Sequence, residues 1–453
     1  MARPVKFRVR DGIAIVTLDR PPVNALDAAT RAGLGAVFSR IAERADGAAV
    51  LLVATGDMFS AGADISEFGR PVQKAPTLAQ ICTQIEDCAL PVVVGIQGRA
   101  LGGGAELALA AHYRVGESTA MIGLPEVTLG LIPGAGGTQR LPRLIGAEAA
   151  LNMMITAQSA DAGLAQRFGL LDAVVDAPVI DGAYAFTKAL VAAGQGPRPT
   201  SGRRHHMADG RAYMAILAKA RAALDGNPQY APHRIIDCVE GAALLPFAAG
   251  LAQEADAFDS CLRHPQSVAF RHIFKAERRA TPLFLTREGA SFKPVNPAGL
   301  AILNRLRPVW HGAAEALVTD DLSQDDIGRI MVDYGFRKGP FGMRDGGGPT
   351  GKAGYVQQAM IGALMAEGAR IIESGLARTS ADVDAIAVHG MGFPRRHGGP
   401  MRAAQSLGLL HLRRALAPLA QDNAIWQTPA LVDEAIKYAD GFDALPARDF
   451  SPV

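Results

Sequence analysis

The chain has 453 residues, 49% hydrophobic and 20% charged, with 46 Lys and Arg against 44 Asp and Glu. At ~100–200 residues per domain this is material for two to four cored domains. A net charge of +2 gives no sign of a nucleic-acid footprint, which shows as a concentrated basic face.

The opening residues, Met-Ala-Arg-Pro-Val-Lys-Phe, lead into a strand and not an apolar leader. Residues 5–18 alternate, break at Asp11-Gly12 and alternate again, which predicts a hairpin. A helix is expected over 28–44, a buried strand over 49–55, a helix over 77–88, a buried strand over 91–96 and a helix over 103–112. This alternation predicts an α/β core to about residue 195. Gly194-Gln-Gly-Pro-Arg-Pro199 reads as a linker. From 208 to 279 the pattern is helical, with clear breaks only at Gly226-Asn227-Pro228 and Pro246. A second break covers 281–299, where Pro282, Pro294 and Pro297 cluster, and 300–447 is helical again. That last region repeats itself faintly. Ser323 to Asp326 and Thr379 to Asp382 both read as helix starts, each followed by a Gly-Pro stop, at Gly339-Pro340 and Gly399-Pro400.

Cys82, Cys88, Cys238 and Cys261 form neither a Cys-x-x-Cys pair nor a zinc spacing, so reduced thiols are expected. The apolar stretch 241–252 is too short to span a bilayer. Ser451-Pro452-Val453 is not a peroxisomal address. Together these predict a cytoplasmic protein. The basic runs Arg203-Arg204-His205-His206 and Arg395-Arg396-His397 are each either a solvated turn or a contact with an anion. Gly346 to Ala353 falls short of a phosphate-binding loop, because Ala353 lacks the hydroxyl that would meet magnesium. His389 and His397 are spaced for capping or packing and not for a metal.

The chemistry is concentrated in Gly98-Arg-Ala-Leu-Gly-Gly-Gly-Ala-Glu106, where a carboxylate follows three glycines at a strand-to-helix turn. A helix N-terminus there aims N–H groups at negative charge. Glu126 follows in Gly123-Leu-Pro-Glu126. Two more small-residue turns flank them, Phe59-Ser-Ala-Gly-Ala-Asp64 and Pro133-Gly-Ala-Gly-Gly-Thr138. Two carboxylates near turns that each offer an N–H suit proton transfer beside a carbonyl whose oxygen becomes an oxyanion. On pattern alone, glycines as turns and glutamates as caps is the simpler account.

The wording of these segments adds more. Together with Leu18-Asp-Arg-Pro-Pro-Val-Asn-Ala-Leu26 and Leu124-Pro-Glu-Val-Thr-Leu-Gly130, they resemble the crotonase (enoyl-CoA hydratase/isomerase) superfamily, five motifs in order. The resemblance implies spiral ββα repeats and an acyl-CoA substrate. Ala63 and Gly103 would donate N–H groups to the thioester oxygen, and Glu106 and Glu126 would hold and activate water. Ala25, Ala61, Asp64, Ile65, Gly102, Pro125 and Gly136 would contact substrate or shape the pocket. Having both glutamates favours hydration, with isomerisation as a second activity. Other crotonase reactions (thioester hydrolysis or carbon–carbon cleavage) and non-catalytic acyl-CoA binding are the alternatives. Ser66 stands where many relatives carry a base for CoA phosphates, so Arg70, Lys74 or the 203–206 run would have to substitute.

Residues 208–281 and 298–447 resemble the linker helix and C-terminal helical domains of multifunctional β-oxidation enzymes, through Asn304-Arg-Leu306, Gly339-Pro-Phe341, Glu367-Gly-Ala-Arg370 and His389 to Met401. The NAD-binding domain that the resemblance places between 281 and 298 is missing, and no Gly-x-Gly-x-x-Gly occurs. Dehydrogenase activity is therefore not expected, and Asn304 is left facing nothing. The expected fold is thus an α/β crotonase domain (1–200), an all-α linker (208–281), a junction (282–297) and duplicated all-α C-terminal domains (298–350 and 351–453). No cofactor is expected beyond the coenzyme A of the substrate, and no metal, nucleic acid or membrane; a monomer is expected.

Overall fold

The computed structural model describes residues 3–44, 47–68, 76–176, 178–281, 283–289, 291–342 and 351–449. It divides into two compact units, Met1–His264 and Pro265–Val453. This division falls inside the stretch 208–281 that the sequence suggests as one linker.

In the first unit the expected hairpin is β1 (Val5–Arg10) and β2 (Ile13–Leu18), turning at Asp11-Gly12. α1 (Ala28–Arg44), β3 (Ala49–Ala54), α2 (Leu78–Glu86) and β4 (Val92–Ile96) follow. β5 (Arg99–Leu101) runs directly into α3 (Gly103–Ala110). Then come β6 (Tyr113–Glu117), β7 (Met121–Gly123), a 3-10 turn at Glu126–Leu129, α4 (Gly137–Ile145) and α5 (Ala147–Thr156). β8 (Ala160–Asp161), α6 (Ala162–Arg167), β9 (Ala173–Val175) and α7 (Val179–Ala192) complete the α/β part.

Two sheets organise it. The larger has the order β1-β2-β3-β4-β6-β9, parallel from β2 onward, and the smaller has β5-β7-β8. Every residue of β4 is buried, as are Ala49 to Val53 of β3, which fits parallel strands covered on both faces. α7 lays Val179, Ala183 and Leu190 on Ile15, Leu51, Val53 and Val93. Each such aliphatic side chain taken from water contributes ~1.5–3 kcal/mol.

α8 (Gly210–Ala223), α9 (Tyr230–Leu244) and α10 (Phe247–Arg263) close the first unit against α4 and α5. The helical region has one more break than expected. His264 is extended and Pro265 opens α11 (Pro265–Ala280), because proline's fixed φ and missing N–H suit the first turn.

In the second unit, Thr286–Glu288 and Ser291–Lys293 form an antiparallel hairpin within the proline-rich stretch. Pro297 does not break structure there. It opens α12 (Pro297–Ala316) behind the Asn296 cap. α13 (Gln324–Tyr334) and α15 (Ser380–Met391) both start with capping boxes, Ser323 with Asp326 and Thr379 with Asp382. α14 (Ala353–Glu373) is buried on nearly all sides, from Val356 to Ile372, as a central helix must be. Most of Gly346 to Ala353 lies outside the described residues. Arg395 pairs with Glu277, Arg396 donates to the Tyr334 carbonyl, and His397 stacks on Tyr334 at 4.1 Å. That basic run therefore turns inward, and is neither a solvated turn nor an anion site. His389 bonds Glu277 at 2.7 Å. Asn304 is exposed on α12. Among the described residues no helix is long and apolar enough to cross a membrane, and no group of three or more His, Cys, Asp or Glu could hold a metal.

Candidate active site

Strand register brings the predicted residues together. Ser60 bridges Ala100 in parallel, and Leu101 of β5 pairs with Gly123 of β7. The turns after all three segments therefore lie side by side, carrying Ala63, Gly103 and Glu126 at one end of a parallel layer. Sites in α/β folds form at such carboxyl ends.

The Ala63 turn is built by its neighbours. Ser60 Oγ donates to the Asn24 carbonyl at 2.8 Å and accepts from Gly62 N–H at 3.0 Å. The Gly62 carbonyl accepts from Leu26 N–H at 2.9 Å. Asn24, itself at φ 48°, fastens this segment by donating to the Thr55 and Met58 carbonyls. Gly62 takes φ 90°, and a Cβ there would stand 2.7 Å from the Leu101 carbonyl and 2.9 Å from Gly103 N. Only glycine allows that approach. A Cβ on Gly103 would lie 3.3 Å from Ala63 N. The two N–H groups are thus neighbours, and among the described residues neither meets an acceptor. Gly103 is the first residue of α3, where an N–H has no partner within the helix.

Glu106 sits in the first turn of α3 and is 3% exposed. Its Oε1 accepts from Ala135 N–H at 2.6 Å and Gly137 N–H at 2.9 Å. Its Oε2 has no protein partner among the described residues. Burial raises its pKa, opposed by those two N–H groups and by Arg140. Arg140 is in turn matched by a buried pair with Glu86 at 2.7 Å.

Glu126 begins the 3-10 turn, with Pro125 as its cap. Its Oε1 stands 3.0 Å from where a Cβ on Gly102 would be, and its Oε2 is buried without a partner among the described residues. Burial, and then the charge of Glu106, hold its pKa well above the usual carboxylate range. Both acids are thus raised, Glu126 the further, while two backbone donors favour the ionised form of Glu106; carboxylates pushed apart in this way suit acid–base chemistry.

The remaining predicted residues take several places. Asp64 caps the turn Ile65–Glu67 by accepting from Ser66 N–H at 2.8 Å. Ala25 is half-buried, its carbonyl accepting from Thr30, and Ala61 is exposed. Gly136, at φ 100°, does not face the acid pair with its N–H, which goes to Glu254. Glu254 of α10 is 1% exposed, and no motif in the sequence pointed to it. Arg70 and Lys74 lie outside the described residues. In the other basic run, His206 approaches Gly146 at the C-terminal end of α4, and Arg204 donates to the Ala243 carbonyl.

The sequence profile described as enoyl-CoA hydratase/isomerase matches residues 8–195. Residues 8–195 are an enoyl-CoA hydratase/isomerase domain. The chain is 38% identical over 283 residues to a peroxisomal bifunctional enzyme of Danio rerio, covering 60% of this chain and 38% of that protein. It is 34% identical to a peroxisomal fatty acid beta-oxidation multifunctional protein of Arabidopsis thaliana, covering 59% and 39%. The chain therefore spans about two fifths of the length of these curated relatives. An enoyl-CoA hydratase/isomerase structure from Pseudoalteromonas atlantica T6c matches at 22% identity and a TM-score of 0.45, over 59% of this chain and 95% of that one. The matched domain precedes a helical C-terminal region, as the sequence motifs imply. The cytoplasmic expectation is overturned, because both curated relatives are named as peroxisomal.

Proposed function

We propose that this chain hydrates the 2,3 double bond of an enoyl-CoA thioester. The observation that carries the reading is geometric: the N–H groups of Ala63 and Gly103, which meet no acceptor among the described residues, neighbour the turns that carry Glu106 and Glu126. The thioester oxygen would sit against the two N–H groups. Water would donate a hydrogen bond to Glu106 Oε2. As its oxygen attacks the β-carbon, charge moves onto the thioester oxygen as an enolate, where the two donors stabilise it. Glu106 takes the proton of the water and Glu126 gives its own to the α-carbon. Proton exchange between the acids then restores the site. The product is the 3-hydroxyacyl-CoA, with no redox step and no cofactor beyond the CoA of the substrate. Glu126 would also serve isomerisation by carrying a proton between two carbons.

Dehydrogenation is not part of the proposal. We also propose a monomer, because α8–α10 of the same chain cover α4 and α5; light scattering reads this directly. By the names of the relatives, the compartment to test is the peroxisome. Incubation with trans-2-enoyl-CoA should bleach the conjugated thioester absorbance and add the mass of one water. Release of free CoA, detected with a thiol reagent, would instead mark a hydrolase.

A further inference from the structure

Glu254 is a buried carboxylate that the proposed reaction does not use, and it lies outside the matched span 8–195. Four successive N–H groups at the start of α4 alternate between two acids. Ala135 and Gly137 donate to Glu106, while Gly136 and Thr138 donate to Glu254, the latter at 2.8 Å. The positive φ of Gly136 turns alternate N–H groups to opposite sides. Thr138 Oγ1 also donates to Glu254, and Gln139 Nε2 steadies that hydroxyl from 3.1 Å while reaching the Cys238 carbonyl. One helical turn before Glu254, Gly250 lets α10 approach α4 closely, since a Cβ there would lie 2.1 Å from Gln139 Oε1.

We propose that Glu254 is a positioning residue of the acid pair, acting through the first turn of α4: it fixes the N–H groups interleaved with those holding Glu106, and its charge acts on Glu126. The proposal rests on the hydratase reading for its catalytic meaning. Among the described residues no Lys, Arg or His forms an ion pair with Glu254. The titratable groups around it are Glu106 from α3, Glu126 from the 3-10 turn, Cys82 from α2, Cys238 from α9 and Arg140 from α4. The charge of Arg140 is already matched by Glu86. Burial and then the Glu106 charge push Glu254 up to about 8, against the pull of its three donors. Ionised Glu254 in turn adds to what raises Glu126.

The test is Glu254→Gln in the full chain, read in two ways. The first is the pH profile of kcat/KM with trans-2-butenoyl-CoA. The second is a 13C-glutamate NMR titration without substrate, with the Glu126 signal assigned through Glu126→Gln. Loss of one negative neighbour should move both the alkaline limb and the Glu126 titration to lower pH, by about one unit. Glu254→Asp, which keeps the charge, should bring them back toward wild type. A Glu254→Gln protein with unmoved limb and titration, whatever its kcat or Tm, would reduce Glu254 to a structural prop. Should Glu254→Gln fail to fold, Thr138→Val takes its place. It removes one donor that favours ionised Glu254, so a smaller shift in the same direction supports the proposal and no shift overturns it. A moved NMR titration in a chain that hydrates nothing would sink the hydratase reading and leave the Glu254 coupling standing. Hydration with an unmoved titration would do the reverse.

Discussion

At the residue scale, the role proposed for Glu126 comes with a cost to stability. Its folded-state pKa lies well above that of the unfolded chain, so the native state holds this proton to higher pH. Stability is therefore lost as pH rises from the unfolded value of ~4.3 through the folded one. Glu126→Gln should cost ~10²–10⁴-fold in kcat. It should also raise the Tm of the first unit at pH 8 by ~2–4 °C, the mark of about 1 kcal/mol, and leave it unchanged at pH 4. A calorimetric scan at the two pH values checks the sign. The proposed reaction needs Glu106 ionised and Glu126 protonated, so the pH–rate profile should be a bell whose alkaline limb reports Glu126.

At the scale of elements, the site depends on turns that only small residues can make. Gly102 at φ 54° and ψ −128° lies in a region open essentially to glycine, so alanine there would strain by ~1–3 kcal/mol, and its Cβ would press on Glu126 Oε1. Gly102→Ala should therefore lower kcat at least tenfold, with KM less affected, as steady-state kinetics would show. In the second unit, Ser323→Ala removes a capping box and should destabilise α13 by ~1 kcal/mol, read by denaturant unfolding. Both turns were legible in the sequence, because glycine runs and Ser-x-x-Asp spacing act locally. The hairpin at 286–293 and the opening of α12 at Pro297 were not. A proline cluster marks boundaries without saying whether each proline ends or begins an element. The same ambiguity hid Pro265, the first residue of α11.

At the scale of the whole molecule, the acids, both N–H donors and Glu254 all lie within Met1–His264. A fragment of residues 1–264 should therefore keep the site, whereas one ending at 200 loses Glu254 and the helices over α4 and α5. Parallel circular dichroism melts and hydration assays compare them. The four residues of the proposed site could be named from sequence because each sits in a motif close to its own turn. Glu254 could not, since it is one carboxylate in an amphipathic helix, and only tertiary packing carries it to α4, 116 residues from Thr138. The central claim is tested most directly by mass-resolved turnover of trans-2-enoyl-CoA by the wild type and Glu126→Gln. The expected result is 3-hydroxyacyl-CoA from the wild type and a rate at least a hundredfold lower from the variant. No hydrated product from the wild type, or equal rates from the two proteins, would contradict it.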